Sequence, residues 1–98
     1  MKRAIFHPRA DDEFAAAVAY YAQQAEGLGE RFYGAIQQIT AEIEAAPQLH
    51  RRWQHGTRRH FHRGFPYAVI YVERPTHLWV VAVAHLKRRP DYWRERLG

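Results

Sequence analysis

The side chains best suited to chemistry lie in the last half of the chain. Leu86-Lys87-Arg88-Arg89-Pro90-Asp91-Tyr92-Trp93 sets three cations ahead of two aromatics. Lysine and arginine grip phosphates or carboxylates, and tyrosine and tryptophan offer flat faces for stacking. A second basic and aromatic group, Arg51, Arg52, Trp53 and His55, falls in a stretch without usable period. Trp53 is expected to tuck under that stretch as a satellite of the core, with nucleobase stacking as the alternative. A third group alternates within Thr57–Arg63: Arg58, His60 and His62 share one strand face, and Arg59, Phe61 and Arg63 the other. Histidine suits acid–base work because it titrates near neutrality. His60 and His62 also have the spacing of a metal-ligand pair, but no carboxylate sits nearby in sequence to complete a set. No metal or other cofactor is expected.

Composition narrows the classes. Without cysteine there is no disulfide, thiolate zinc site or thiol catalysis. The net charge of +5 is lopsided: residues 1–49 sum to −3 and residues 50–98 to +8, with six of seven histidines in the basic half. A concentrated basic half points to a polyanionic partner, either nucleic acid or an acidic protein segment. Hydrophobic residues at 47% and aromatics at 14% suffice for a core. The length fits one domain, residues 1–98. The N-terminus has no apolar run of signal-peptide length, so a soluble, cytoplasmic protein with no membrane role is expected.

The tail needs a scaffold, and the residues before it supply one. Leu78-Trp79-Val80-Val81-Ala82-Val83-Ala84 is too short to cross a membrane and lacks helical period, so it reads as a strand buried on both faces. Tyr67–Val72 and Thr57–Arg63 precede it across short turns, which predicts an antiparallel meander whose charged first strand lies near an edge. Lys2–His7 predicts a further strand, with Ala4 and Phe6 on one face and Ile5 on the other. Pro8 then opens a helix expected to reach Glu26, with Gly27 as its left-handed cap and Asp11, Asp12 and Glu13 complementing its dipole. Phe14, Ala17, Val18 and Tyr21 form its apolar stripe. A second helix, with Phe32, Ala35, Ile36, Ile39, Ile43 and Ala46 as its stripe, ends at Pro47. Gln48–Gly56 reads as a loop, and Asp91–Leu97 as a short terminal helix. The expected fold is α+β, β-α-α-β-β-β with a C-terminal helix. A helical hairpin covers one face of a largely antiparallel sheet, and the basic residues lie on the other face or its rim.

Several stretches resemble the RelE/ParE toxin superfamily: Phe6-His7-Pro8 with Ala10, Ala19-Tyr20-Tyr21, Arg63 through Tyr71, and Val83-Ala84-His85 through Arg88, Pro90, Tyr92 and Trp93. Gly27-Leu28-Gly29-Glu30-Arg31-Phe32 is similar to the linker and second helix of ParE-like members. The resemblance implies the toxin half of a type II toxin–antitoxin pair, held inactive by an antitoxin segment that wraps it. Some such toxins cut messenger RNA on the ribosome and others poison DNA gyrase.

RNA cleavage needs cations for the phosphates, a group to activate the 2′-hydroxyl and an acid for the leaving oxygen. RelE-like members typically follow a tyrosine with an arginine in the strand that here reads Tyr67-Ala68-Val69, so that arginine is absent. If the chain is a nuclease, the resemblance places its chemistry at His85, Arg88 and Tyr92. Otherwise His85 is a hydrogen-bonded strand end and Tyr92-Trp93 packs the tail. The basic face expected to meet target or antitoxin comprises Arg58, Arg59, His60, His62, Arg63, Lys87, Arg88 and Trp93. The ParE-like, target-binding reading leads. An RNA-cutting enzyme is the runner-up, and a non-toxic module that only pairs with its antitoxin is the third reading.

Overall fold

In the computed structural model, which describes residues 1–98, the chain runs β1 (Arg3–Phe6), α1 (Pro8–Gln24), α2 (Leu28–Ala45), β2 (Arg51–Arg52), β3 (Arg58–Phe61), β4 (Tyr67–Glu73) and β5 (His77–His85). One-turn 3₁₀ segments occupy Gln54–Gly56 and Arg94–Leu97. The five strands form one sheet in the order β1-β5-β4-β3-β2. β1 runs parallel to β5, and the remaining pairs are antiparallel. The α+β fold with a helical hairpin on a mostly antiparallel sheet is the one expected.

β5 is buried on both faces because a different core forms on each. Val80 and Val83 join Val69, Tyr71 and the α2 residues Phe32, Ile36, Ile39 and Ile43. Val81, Ala82 and Ala84 join Ile70 and Trp93 on the far face. Strict alternation cannot place neighbouring Val81 and Ala82 on one face. The register explains it: Ile70 faces Ala82 and Tyr71 faces Val80, so Val81 is the extra residue of a β-bulge.

The hairpin closes tightly on the sheet. Phe32 is wholly buried among Tyr67 at 4.9 Å, Tyr21 and Phe65 at 5.1 Å each, and Phe14 at 6.1 Å between ring centroids. Gly29 lets the helices meet, since a Cβ there would lie 2.9 Å from both Ala22 Cβ and Val18 O. On β1, Ala4 and Phe6 pack on the helix-side core and Ile5 is exposed, as the alternation predicts.

Four expectations need correction. Gln48–Gly56 is not all loop, because Arg51 and Arg52 pair with Arg59 and Arg58. So short a strand carries no detectable period. α1 ends at Gln24, and left-handed Gly27 (φ 77°) is instead the N-cap of α2. The terminal helix shrinks to Arg94–Leu97, because Asp91 adopts φ 55° and breaks the turn that Pro90 would begin. Asp12 and Glu13 lie beyond the first turn of α1, and the Glu13 carboxylate is taken up by β5 rather than by the helix end.

Candidate functional site

The tail folds back across the far face of the sheet. Its anchor is Trp93, 1% exposed, which packs on Ile70, Val81, Ala82 and Ala84. β1 ends at Phe6, so β5 has no strand neighbour on that side beyond Val80. Side chains fill the gap. Arg96 Nη1 donates to Val81 O at 3.0 Å, and Val83 N donates to Glu13 Oε1 at 3.1 Å. Glu13 and Arg96 then pair in two-pronged geometry, Nη1 to Oε1 at 3.0 Å and Nη2 to Oε2 at 3.1 Å. Tyr92 OH donates to Glu13 Oε2 at 2.7 Å. Four hydrogen bonds from β5 and the tail thus converge on one carboxylate of α1.

Tyr92 is shaped by that contact. Burial first, and then the hydrogen bond to Glu13, raise its pKa well above the ordinary phenol value. Its ring serves as a platform: the Arg88 guanidinium lies 3.8 Å from the ring centroid. Arg59 mirrors this arrangement from β3, with its guanidinium 3.3 Å from the Trp53 ring and 4.6 Å from that of Phe61. Arg59 Nε is buried without a hydrogen-bond partner, and burial lowers the Arg59 pKa. Both arginines line one shallow cleft of about 70 Å³, together with His85, Arg89, Tyr92 and Trp93. Ala68, Ile70 and Ala84 also line it, and no carboxylate does.

The expected site residues divide accordingly. His85, Arg88 and Tyr92 do gather at this cleft. His85 is nonetheless a hydrogen-bonded strand end: its Nδ1 accepts from Lys87 N at 3.0 Å, and its ring meets the edge of Tyr67 at 5.1 Å. Lys87 and Arg63 are exposed. Position 68, where RelE-like members keep an arginine, lines the cleft, and here it holds a buried alanine.

Arg58, His60 and His62 do not belong to this face. Arg58 and His60 lie on the helix side: Arg58 Nη1 donates to His50 O at 2.8 Å, and His60 Nε2 meets Glu42 Oε1 at 2.7 Å. His60 also stacks on His50 at 4.0 Å. His62 Nδ1 accepts from Gly64 N, so the two histidines are turned to separate partners. No group of three or more metal-ligating side chains converges. The basic residues therefore occupy both faces of β3, contrary to the expectation of one basic face.

Glu13 and Arg96 were not foreseen. Glu13 reads as one of three acids near a helix start, and Arg96 as one more cation in a basic tail. Their separation of 83 residues hides the pair.

A family model described as the ParE toxin of type II toxin-antitoxin system, parDE, matches residues 4–90. No curated protein sequence matches the chain. Among solved structures, a chain of the "Chromosomal ParDE TA system from P. aeruginosa" is similar with a TM-score of 0.65 at 14% identity. The alignment covers 87% of this chain and 96% of that one, and at such identity the likeness speaks for the fold alone. No helix is long and apolar enough to cross a membrane. The family match takes in both helices, β2 to β5 and all of β1 but Arg3, ending at Pro90 just before the Tyr92–Trp93 anchor. The chain belongs to the ParE toxin family of type II toxin–antitoxin systems.

Proposed function

We propose that this chain, free of its antitoxin, arrests growth in the cytoplasm by binding its target, and that it does not cut RNA. DNA gyrase is the target that the resemblance implies. The observation that carries the reading is the commitment of Tyr92. Its hydroxyl proton points into the Glu13 carboxylate at 2.7 Å, and its raised pKa makes it a poor acid for a leaving oxygen. Ala68 removes a second component of the nuclease set.

What remains at the cleft is a surface for recognition. Arg59 and Arg88 form no salt bridge within the chain, and each is oriented by an aromatic ring. A carboxylate from an acidic or amphipathic antitoxin segment would satisfy both guanidinium groups in the planar geometry that arginine favours. Toxin and antitoxin then form a hetero-oligomer in which this cleft is covered.

The test is controlled expression of the chain alone, with DNA and protein synthesis followed separately by labelled-precursor uptake. Early loss of DNA synthesis with a DNA-damage response is expected. Early loss of translation with cut transcripts would overturn the binding reading. Soluble protein with no growth defect would leave a module that only pairs with its antitoxin.

A further inference from the structure

We infer that Glu13 is the positioning residue of the basic tail, holding Tyr92 by its hydroxyl so that the Tyr92 ring fixes the plane of the Arg88 guanidinium. The inference rests on the proposed function in one respect: Arg88 is taken as a residue that meets target or antitoxin.

The geometry supplies each link. Glu13 sits on the second turn of α1, a helix whose other face is packed in the aromatic core, so its carboxylate is a rigid reference point. Oε1 is taken by Val83 N and Arg96, and Oε2 by Tyr92 OH and Arg96. These four bonds fix the carboxylate in rotation as well as in position. The tyrosine therefore has one place for its hydroxyl. Trp93, next in sequence, fixes the other end of the dipeptide in the far-side core. With both ends set, the ring presents one face to the Arg88 guanidinium 3.8 Å away. Arg88 itself is exposed and makes no side-chain hydrogen bond, and its guanidinium lies stacked on the ring. A free arginine loses several rotamers on binding, and a stacked one has lost them beforehand.

An ion pair serving stability alone would predict something different. Buried pairs can often be replaced by apolar residues without loss, and a purely structural Glu13 would leave Arg88 indifferent to its removal. A positioning Glu13 makes its effect on function run through Arg88.

The experiment uses the full chain and four variants: Glu13→Gln, Tyr92→Phe, Arg88→Gln, and Glu13→Gln combined with Arg88→Gln. Tyr92→Phe removes the tether and leaves the Glu13–Arg96 pair and the ring in place, so it carries the test even if Glu13→Gln folds poorly. The first readout is the ¹⁵N–¹H heteronuclear NOE and ring-current shift of Arg88 Nε. The unaltered chain is expected to show an ordered, shifted signal, and both Glu13→Gln and Tyr92→Phe an averaged one. An unchanged Arg88 signal in both would overturn the inference. The second readout is growth arrest on expression at matched soluble levels. Glu13→Gln and Tyr92→Phe should each weaken it by about tenfold, and by no more than Arg88→Gln does. Glu13→Gln should not add to Arg88→Gln. Losses that multiply in the double variant would overturn the inference. If Arg88→Gln leaves growth arrest intact while the NMR signal responds as expected, the role given to Arg88 in binding fails and the positioning by Glu13 stands.

Discussion

His55 Nε2 and Asp91 Oδ2 meet at 3.2 Å, and these are the two non-glycine residues with left-handed backbone, at φ 58° and 55°. Such a conformation costs an ordinary residue about 1–2 kcal/mol, and Asp tolerates it better than most. The contact, together with the His55 ring 6.0 Å from Trp93, pins the turn before β3 to the start of the tail. Asp91→Val should destabilise the fold by about 1–2 kcal/mol through backbone strain and the lost contact, and Asp91→Gly by less. Urea denaturation of the two variants checks the order.

The Glu13–Arg96 pair has side chains only 16% and 9% exposed. Glu13→Leu alone strands a buried guanidinium and should cost about 3–5 kcal/mol. Glu13→Leu with Arg96→Met should recover only part of that, since an apolar pair avoids desolvating charge but leaves Val83 N, Val81 O and the Tyr92 hydroxyl without their partners. Chemical denaturation of both variants gives the comparison.

Gly29 stands where α1 and α2 approach most closely. Gly29→Ala gains helix propensity but drives a methyl against Ala22 and the Val18 carbonyl, with little freedom for either to move. A net loss of about 1–3 kcal/mol is expected, the usual scale of overpacking. A melting temperature at or above that of the unaltered chain would contradict it.

Neutralising the cleft should weaken antitoxin binding selectively. Arg59→Gln and Arg88→Gln should each cost about 1.5–3 kcal/mol, the worth of hydrogen bonds to a charged group. Arg52→Gln, with the same change in net charge on an exposed residue outside the cleft, should cost far less. Isothermal titration of the three variants with the cognate antitoxin separates local recognition from general attraction.

Acid should destabilise the fold in two stages. His50 and His7 are held below the ordinary 6.5, chiefly by burial. The unfolded chain therefore takes up protons first, and stability falls as pH drops through 6.5. Glu42 and Glu73 are held below 4.5, first by hydrogen bonds from His60 and Lys2 respectively. Their contribution is present above 4.5 and is lost as pH falls through it toward their lowered values. Denaturation midpoints should be level between about pH 7 and 9, and fall in both acid windows. His50→Asn should shrink the first fall and spare the second.

How much of this was legible in the sequence depended on the range of the interaction. Pro8, the two helical stripes and the valine-rich strand announce themselves because period and turn chemistry are local, and they yield the fold. The cleft is legible in part: the arginines and aromatics stand out as types, but their pairing does not. Nothing near Arg59 says that its guanidinium lies on Trp53 while its neighbours Arg58 and His60 turn to the helix side. Alternation along β3 separates the faces, yet which face the hairpin covers is set by the rest of the sheet. Glu13 was hidden for a similar reason. Near a helix start a carboxylate has a sufficient local explanation, and its partners arrive only when the tail folds back.

The extra residue at Val81 changes which side chains of β5 meet the far-side core. Before it, even positions of β5 face the helices; after it, odd positions do. Ala84, which an unbroken strand would turn to the helices, therefore stands on the far face beside Trp93, where it lines the cleft. The same irregularity sits where β1 has ended and leaves the Val81 carbonyl for Arg96 to claim. One surplus residue thus provides the small side chains beside Trp93 and a point to which the returning tail is tied.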